Sequence, residues 1–476
     1  MKNLKKTLAL LAALAMSATA LYGCGDEKES STSTANNSSN SDSASKDDSK
    51  ADESSKEDNG DVAEGDDKLT ILCWNPNDSQ PMVDLFCQKT GHDPSEINIK
   101  SFDCNGGEAA ENYDQYLNEA DNDADIMFLE ADWALKYIND DAVTMGLSEI
   151  GIDEGSFGDI YPYVLEVGKS TTDGTLKGIS WQAAAGGYCY REDLAKEYLG
   201  VETPEQMQEK IKDWDAFLAT AEELMTASGD KKVALSATLG GVWQVYAGSR
   251  GSAWVTSDNK LAADDYCKDY AEFANKLWNN GYVTQVGQWQ SDWLPLGNTG
   301  DVLGYFVSTW GFGDTILASA AGGEGGESFG KWKCVVGPAE FYWGGTWMAP
   351  ATRCNNKELA KEFIEFFTTN EEGATAYAEK QGEYMSNKKV MEAIIDKGEY
   401  KGAPVLGGQN HFAVLNEVAQ GIDMAGKITP YDAKIKQAFT DAVQEYAEGT
   451  HGSVDEAMDA FTVKVMEALP DQLNWD

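Results

Sequence analysis

The sequence predicts an α/β protein in which mostly parallel sheets are flanked by helices. Short apolar β runs at 69–74, 97–102 and 125–129 alternate with helical patterns near 82–86 and 112–119. Strands that alternate with helices are joined by right-handed crossovers, and such crossovers build a parallel sheet. The folded region, about 410 residues from Lys68 to Asp476, is too long for one core, so we expect two lobes.

The elements that follow are predicted from the same local signals. Turn-forming residues at 75–78 end the first strand, and Asn280-Gly281 ends a helix. Further strands are predicted at 176–181, 187–191, 302–307 and 333–336, and further helices at 213–227, 268–279 and 356–368. The small residues at 183–187 suit a chain that crosses between lobes.

The first 24 residues have the pattern of a secretory signal. A basic start precedes an apolar run from Thr7 to Leu21, and the small Gly23 precedes Cys24. This arrangement resembles a bacterial lipobox. We therefore expect a signal peptide over 1–23 and a diacylglyceryl (palmitate-type) lipid on Cys24, which would hold the protein to the extracellular face of the cell membrane. The alternative is an ordinary signal peptide with an incidental cysteine.

Residues 24–67 have the composition of a disordered acidic, Ser-rich tether. Beyond Cys24 the stretch contains 14 acidic residues and 4 lysines and almost no large apolar residue. Such a chain cannot bury enough surface to offset the entropy of ordering it. No later apolar run approaches the roughly 20 residues that span a bilayer. The tether would connect a lipid anchor to a soluble domain.

Charge and cysteine content narrow the range of partners. The net charge of −43 argues against nucleic-acid binding, and we expect no nucleic-acid partner. Besides Cys24 there are seven cysteines, an odd number without a Cys-x-x-Cys pair. One or two disulfides and a set of buried thiols both fit this pattern.

The 14 tryptophans are the feature that points to a ligand. Many lie beside Gly, Ser, Asn, Asp or Gln, as in Trp289-Gln290. An indole face covers the C–H face of a pyranose, while neighbouring amides and carboxylates bond its hydroxyls. Residues just beyond the strand ends are also predicted to bind the ligand, because ligands of open α/β sheets bind there. The predicted binding residues are Trp74, Asn75, Glu130, Trp181, Trp254, Trp293, Trp310, Trp343 and Trp347.

Each of these predictions has a structural alternative. Any single tryptophan could be a core or rim aromatic, and Glu130 could be a helix N-cap or a surface carboxylate. Enzyme motifs do not emerge: Gly168-Lys169-Ser170 lacks the first glycine of a phosphate loop, because Tyr163 stands there. The three histidines lack zinc-ligand spacing. We expect no metal, no cofactor and no catalysis.

The order of motifs resembles a known family. The segments that carry the resemblance are, after the lipobox and tether, Leu69-Thr70-Ile71-Leu72-Cys73-Trp74, 125–130, the helix at 357–367 with Asn370-Glu371-Glu372-Gly373, and 454–458. Their order is similar to that of the family 1 carbohydrate-binding extracellular solute-binding proteins of ABC transporters. The resemblance covers Lys68 to Glu467. It implies the two-lobed periplasmic-binding-protein-like fold of type II, with the ligand cleft between the lobes.

The resemblance also implies the lobe boundaries and the function. The N-terminal lobe would hold 68–183 plus 337–386, and the C-terminal lobe 184–336 plus 387–476. Trp310 would follow the strand at 302–307, Trp343 and Trp347 would lie where the chain recrosses, and residues 407–411 would add polar contacts. The implied protein is a monomer that binds a sugar or oligosaccharide and delivers it to ABC permease subunits. The alternative is a surface glycoside hydrolase or a polysaccharide-capture lipoprotein without a transport role.

Overall fold

The structure is a computed structural model that describes residues 68–102, 109–248 and 250–475. The predicted signal peptide, Cys24 and the tether lie outside the described residues, as does Cys104. Within the described ranges, every helix is too short or too polar to cross a membrane.

Two sheets organise the described chain. The first sheet has the strand order β2-β1-β3-β9-β4 and the second has the order β6-β7-β5-β8. The strands are β1 Leu69–Cys73, β2 Ile97–Ser101, β3 Ile126–Glu130, β4 Ile179–Ser180, β5 Gly186–Arg191, β6 Ala234–Ser236, β7 Val302–Ser308, β8 Trp332–Val335 and β9 Thr346–Pro350. Each apolar β run predicted from the sequence thus contains a strand, although the run at 176–181 is a strand only over Ile179–Ser180.

In each sheet most strands run in the same direction, as predicted, and one strand opposes the others. In the first sheet β9 is antiparallel to both β3 and β4, and in the second β5 is antiparallel to both β7 and β8. The described pairs β1–β2, β1–β3 and β6–β7 are parallel. The two opposed strands are explained by chain connectivity, because β5 and β9 are the strands by which the chain enters the second sheet and returns to the first.

Helices cover both sheets and begin at side-chain caps where the sequence provides them. Asp213, Asp264, Asn370 and Ser453 each accept a hydrogen bond from a first-turn amide. The helices are α1 Pro76–Thr90, α2 Ala109–Leu117, α3 Ala131–Ile138, α4 Pro162–Gly168, α5 Glu192–Leu199, α6 Pro204–Lys210, α7 Trp214–Ser228, α8 Leu239–Gly248, α9 Asp265–Asn279, α10 Pro295–Thr299, α11 Leu317–Ala320, α12 Lys357–Thr368, α13 Glu371–Gln381, α14 Lys388–Lys397, α15 His411–Gly421, α16 Asp432–Ala447 and α17 Val454–Ala468.

The core falls into two clusters of buried side chains. The larger cluster contains the first sheet and one face of the second, including Tyr305 and Val307 of β7. The smaller cluster contains the opposite face of the second sheet, including Phe306, together with helices α7, α9, α16 and α17. The alternation of side chains along β7 therefore places it between the two clusters.

Three chain segments run side by side between the sheets. Residues 184–186 pair with 341–343 through the Ala185–Tyr342 bridge and the bond from Trp343 N–H to the Ala184 carbonyl, 2.9 Å. Residues 181–183 pair with 384–386 through the Gln182–Met385 bridge. The lobe boundaries drawn from the sequence, at 183/184, 336/337 and 386/387, stay a prediction.

The described cysteines are buried thiols: Cys73, Cys87, Cys189, Cys267, Cys334 and Cys354. Among these six, no two are joined as a disulfide. The sequence was compatible with either one or two disulfides or a set of buried thiols. The described part of the chain has buried thiols.

Candidate functional site

The carboxyl ends of several strands carry the predicted polar and aromatic residues. Trp74 and Asn75 follow β1, Glu130 ends β3, and Trp310 follows β7 in a short 3₁₀ turn, Thr309–Gly311. Trp74, Asn75, Glu130 and Trp310 are all half-buried. Their places agree with the rule that ligands of open α/β sheets bind beyond the strand ends.

Trp289, Trp310 and Trp343 form one group, here called the aromatic platform. The rings of Trp310 and Trp343 meet edge to face with centroids 4.9 Å apart, and Trp289 is stacked on Trp310 at 6.2 Å. Trp310 Nε1–H donates to the Trp343 carbonyl at 2.8 Å. This bond satisfies the polar edge of Trp310 and fixes its orientation, because an indole has a single N–H to place.

Trp289 was not among the predicted binding residues, although its flanking glutamines were a sequence signal. Its side chain is 57 % exposed, an unusual fraction for so large an apolar group. Its backbone has φ of +70°, a conformation that non-glycine residues seldom adopt. Strained backbone of this kind clusters at ligand sites, so the loop at 287–290 is a candidate contact.

A cavity of ≈ 440 Å³ lies beside Trp310, and we call it the Trp310 cavity. Its walls are the turn after β7, the end of α13 and the segment 400–405. Thr309, Phe312, Tyr400 and Gln381 are among its lining residues. Thr309 Oγ1 is buried and has no hydrogen-bond partner among the described residues. The volume is within the range of roughly 300–1,000 Å³ that is usual for small-molecule sites.

Glu130 is the N-cap of α3, as the alternative interpretation had it. One carboxylate oxygen accepts from the Asp132 amide at 2.8 Å. The other oxygen faces the aromatic platform: a Cβ placed on Gly344 would lie 3.6 Å from Glu130 Oε1 and 3.2 Å from Trp310 Nε1. Burial, reinforced by the negative charge of Asp132, raises the pKa of Glu130 to about 8. Glu130 is therefore both a cap and a neighbour of Trp310.

A charged group lies next to Trp343. Lys436 Nζ is 3.4 Å from Asp132 Oδ1, and a small cavity there is also lined by Asp432 and Tyr342. Burial alone would lower the pKa of Lys436, but Asp132, the Tyr342 phenol and Asp432 outweigh it and raise that pKa. Burial raises the pKa of Tyr342 to about 12, with Lys436 opposing and the nearby carboxylates adding to it. Lys436, Asp432 and Tyr342 were not predicted, because their proximity depends on the fold.

Four of the predicted tryptophans are packed into the core. Trp181 and Trp347 are completely buried; Trp181 contacts Phe128, and Trp347 donates its N–H to the Val164 carbonyl at 2.9 Å. Trp254 packs against Phe439 and under the Arg250 guanidinium, 4.2 Å from the ring centre. The expectation that these rings present open faces to a ligand is thus corrected, since large indoles exclude most water when other aromatics surround them.

Trp293 is the fourth of these buried rings, and it supports the platform from below. It is 2 % exposed and meets Trp289 edge to face at 4.8 Å. The segment 407–411 is likewise structural: the Gln409 amide bonds both the N–H and the carbonyl of Cys334 at 2.7 Å. His411 is fully buried, which lowers its pKa to about 3. It follows that these residues hold the site in place.

The chemistry available at this site is that of binding. Aromatic faces, amides, hydroxyls and carboxylates surround an open cavity, which suits a ligand that has both C–H faces and hydroxyl groups. In the described ranges, no three His, Cys, Asp or Glu side chains are grouped so as to hold a metal ion.

The family model of the bacterial extracellular solute-binding proteins matches residues 82–406. The chain belongs to this family. The match covers both sheets of the solute-binding protein except β1, and it contains the aromatic platform and the Trp310 cavity. Among curated proteins, the comparison found no match.

Solved structures share the two-lobed type II fold. A family 1 extracellular solute-binding protein is 18% identical, with a TM-score of 0.71, and covers 84% of this chain and 99% of its own. An ABC-transporter-associated binding protein of B. animalis subsp. lactis in complex with β-1,6-galactobiose is 19% identical (TM-score 0.64, 84% and 97% covered). The sugar-binding protein MalE of Xanthomonas citri is 17% identical (TM-score 0.64, 84% and 97% covered). At these identities the comparison establishes the fold.

Proposed function

We propose that this solute-binding protein is the receptor of an ABC importer and that its solute is a sugar or oligosaccharide. The observation that carries the proposal is the aromatic platform beside the Trp310 cavity. Stacked and edge-on indoles next to hydroxyl, amide and carboxylate groups are the surface that pyranose rings require. The structural relatives that are named as sugar-binding proteins support the same solute class.

The sugar would bind between two lobes, with Trp310 on the C-terminal lobe and Glu130 on the N-terminal lobe. The proposed lobes are 68–183 plus 337–386, and 184–336 plus 387–476. The three segments that connect the sheets would act as the hinge, so that closure brings both sets of residues onto the sugar. The permease subunits would then recognise the closed form.

The receptor would be held to the extracellular face of the cell membrane by a lipid on Cys24, with 24–67 as the tether. The family assignment supports an extracellular location. The lipobox-like sequence supports the anchor. We further propose that the protein is a monomer, since the proposed site is complete within one chain.

Titration calorimetry of the full chain against defined mono- and oligosaccharides tests the proposal. We expect a dissociation constant in the micromolar range, about −7 to −9 kcal/mol. Trp310→Ala should weaken binding by about 2 kcal/mol, roughly 30-fold, as expected for an aromatic anchor. Trp214→Ala is the matched control: Trp214 is also half-buried, but it packs on Phe217 and Phe273 away from the platform.

The same experiment separates the receptor from the alternatives. Chromatography of the titrated sugar should show no hydrolysis product, whereas a glycoside hydrolase would give shorter sugars. Equal affinity of the Trp310→Ala and Trp214→Ala variants would reject the platform as the binding site. Failure of every sugar to bind would reject the sugar while leaving the family and fold as they are.

A further inference from the structure

A second cavity lies in the region of the smaller core cluster, and we call it the Trp278 cavity. Its volume is ≈ 410 Å³, close to that of the Trp310 cavity. It is bounded by the start of α8, the end of α9, the segment 285–288 and the second half of α16. Trp243 and Tyr270 form its buried floor, while Trp278 is a half-buried wall.

Part of the Trp278 cavity lies at the carboxyl ends of the strands of the second sheet, where Trp310 also lies. Strands β6 and β7 are parallel, and Ser236 of β6 also forms a parallel bridge to Val283. The chain therefore leaves β6 toward Thr238, and leaves Val283 toward Gln288, at the edge where β7 ends in Trp310. Neighbouring strands are about 4.8 Å apart, so the parts of the lining that follow β6 and Val283 begin one to two strand spacings from the end of β7.

Trp289 joins the two places. It directly follows Gln288, which lines the Trp278 cavity, and its ring stacks on Trp310. The Trp289 side chain is exposed at the surface between them, and its backbone has a positive φ. A chain-like ligand on the aromatic platform would thus meet Trp289 and then the cavity.

The walls of the Trp278 cavity have the same chemistry as the proposed sugar site. Three glutamines line it, Gln285, Gln288 and Gln444. The Nε2 atom of Gln288 is buried and has no hydrogen-bond partner among the described residues, which is costly unless a ligand or water supplies one. The described lining includes the carboxylates Asp441 and Glu448 but neither Lys nor Arg, so an anionic ligand is disfavoured.

We propose that the Trp278 cavity is a distal carbohydrate subsite, which binds the far units of an oligosaccharide whose first units lie on the aromatic platform. This inference rests on the proposed sugar-binding function and adds the length of the ligand: a chain of at least three or four units. Trp278 would stack on a distal ring, and the Gln288 amide would donate to one of its hydroxyls.

Calorimetry with two homologous ladders, α-1,4-glucans and β-1,6-galactans of two to six units, tests this subsite on the full chain. For the ladder whose disaccharide binds, we expect affinity to rise at least tenfold between the disaccharide and the tetra- or pentasaccharide. Trp278→Ala should remove most of that rise and leave the disaccharide affinity unchanged. Gln288→Ala, a smaller change on a surface loop, should reduce the rise by several-fold.

Trp214→Ala is again the control, and Trp278→Tyr should keep part of the rise because it keeps a stacking face. A ladder in which the disaccharide binds as tightly as the longer sugars would overturn the distal subsite while leaving the proposed sugar receptor intact. A rise that Trp278→Ala and Gln288→Ala leave unchanged would do the same. If another sugar binds and neither ladder does, the same comparison is made between that sugar and its longer homologues, and an affinity that does not rise with length overturns the distal subsite. If no sugar binds, both proposals fail.

Discussion

Lys436 of α16 and Asp132 of α3 form an ion pair of 3.4 Å that connects the helix after β3 with a helix of the smaller core cluster. Asp132 is largely exposed and Lys436 about one-third exposed, so solvent screens the pair. Lys436 also faces Asp432 and Tyr342, and it is the cation at the centre of these groups. The pair stands directly beside Trp343 of the aromatic platform.

A double-mutant cycle with Lys436→Met and Asp132→Asn should give a favourable coupling of about 0.5–1 kcal/mol, the range for screened pairs. Urea unfolding of the four proteins measures it, and added salt should reduce it. The Lys268–Asp455 pair, 2.7 Å between two exposed groups, is the control and should show a smaller coupling. Additive effects of the two changes would mean that the pair contributes nothing.

Glu130 should make stability depend on pH. Because its pKa is about 8 in the folded protein and near 4.5 when unfolded, the folded state binds more protons between these values. Stability from this group is therefore fully present below about pH 4.5 and is lost as pH rises toward 8. Glu130→Gln keeps an acceptor for the Asp132 amide and removes the titration. Urea unfolding from pH 5 to 9 should show that the free energy of unfolding of the variant increases relative to that of the unsubstituted protein as pH rises. Parallel pH profiles of the two proteins would contradict the raised pKa.

Gly345 is required at the segment that returns to the first sheet. Its φ is +102°, and a Cβ there would lie 3.0 Å from Ala184 Cβ and 3.3 Å from the Trp347 ring. Gly345→Ala should destabilise the protein by about 1–3 kcal/mol and, by moving Trp343, weaken ligand binding. Thermal unfolding and calorimetry measure the two effects. Gly323→Ala is the control: its φ is also positive, at +71°, but nothing lies within 4 Å, so it should cost less and leave binding unchanged.

The buried thiols should resist alkylation in the folded protein. Burial is the main cause that raises the pKa of Cys267 to about 11 and that of Cys354 to about 12. At pH 8 only about one Cys267 side chain in a thousand would be a thiolate, and thiolates are the reactive form. Peptide mapping after iodoacetamide should find both cysteines unmodified without urea and modified in urea. Rapid modification of the native protein would show that these sites open readily.

Where a segment has a clear local pattern, its strand or helix was predicted within a few residues. The apolar runs at 69–74 and 302–307 are buried strands, and the periodic segment at 356–368 is α12. The position of β9 between β3 and β4 has no local signal, because a distant pairing decides it. The sequence therefore predicted sheets of mostly parallel strands, but not which strand runs against the others.

Some residues of the candidate site were predicted from the sequence, and some predicted tryptophans are buried instead. Trp310 and Trp343 do meet, beside Glu130. Trp181, however, is flanked by Ser180 and Gln182, which suggested an exposed loop. In the structure both polar neighbours are buried and hydrogen-bonded; Gln182 Oε1 accepts from the Thr346 amide at 3.1 Å. Sequence neighbours show polarity, but they do not show whether the fold supplies a partner that lets a polar residue be buried.

The opposed strand β9 has a consequence for how the chain acquires its structure. Its partners β3 and β4 precede it, and the whole second sheet is synthesised between β4 and β9. The first sheet can thus hold β1, β2 and β3 early, but β4 has no described strand partner until β9 arrives. Pairings between such distant segments form slowly, because the entropy of closing a long loop is lost before the strand contacts can offset it. The nascent protein would expose an unfinished sheet edge during this interval, and that edge is where misfolding and aggregation would begin.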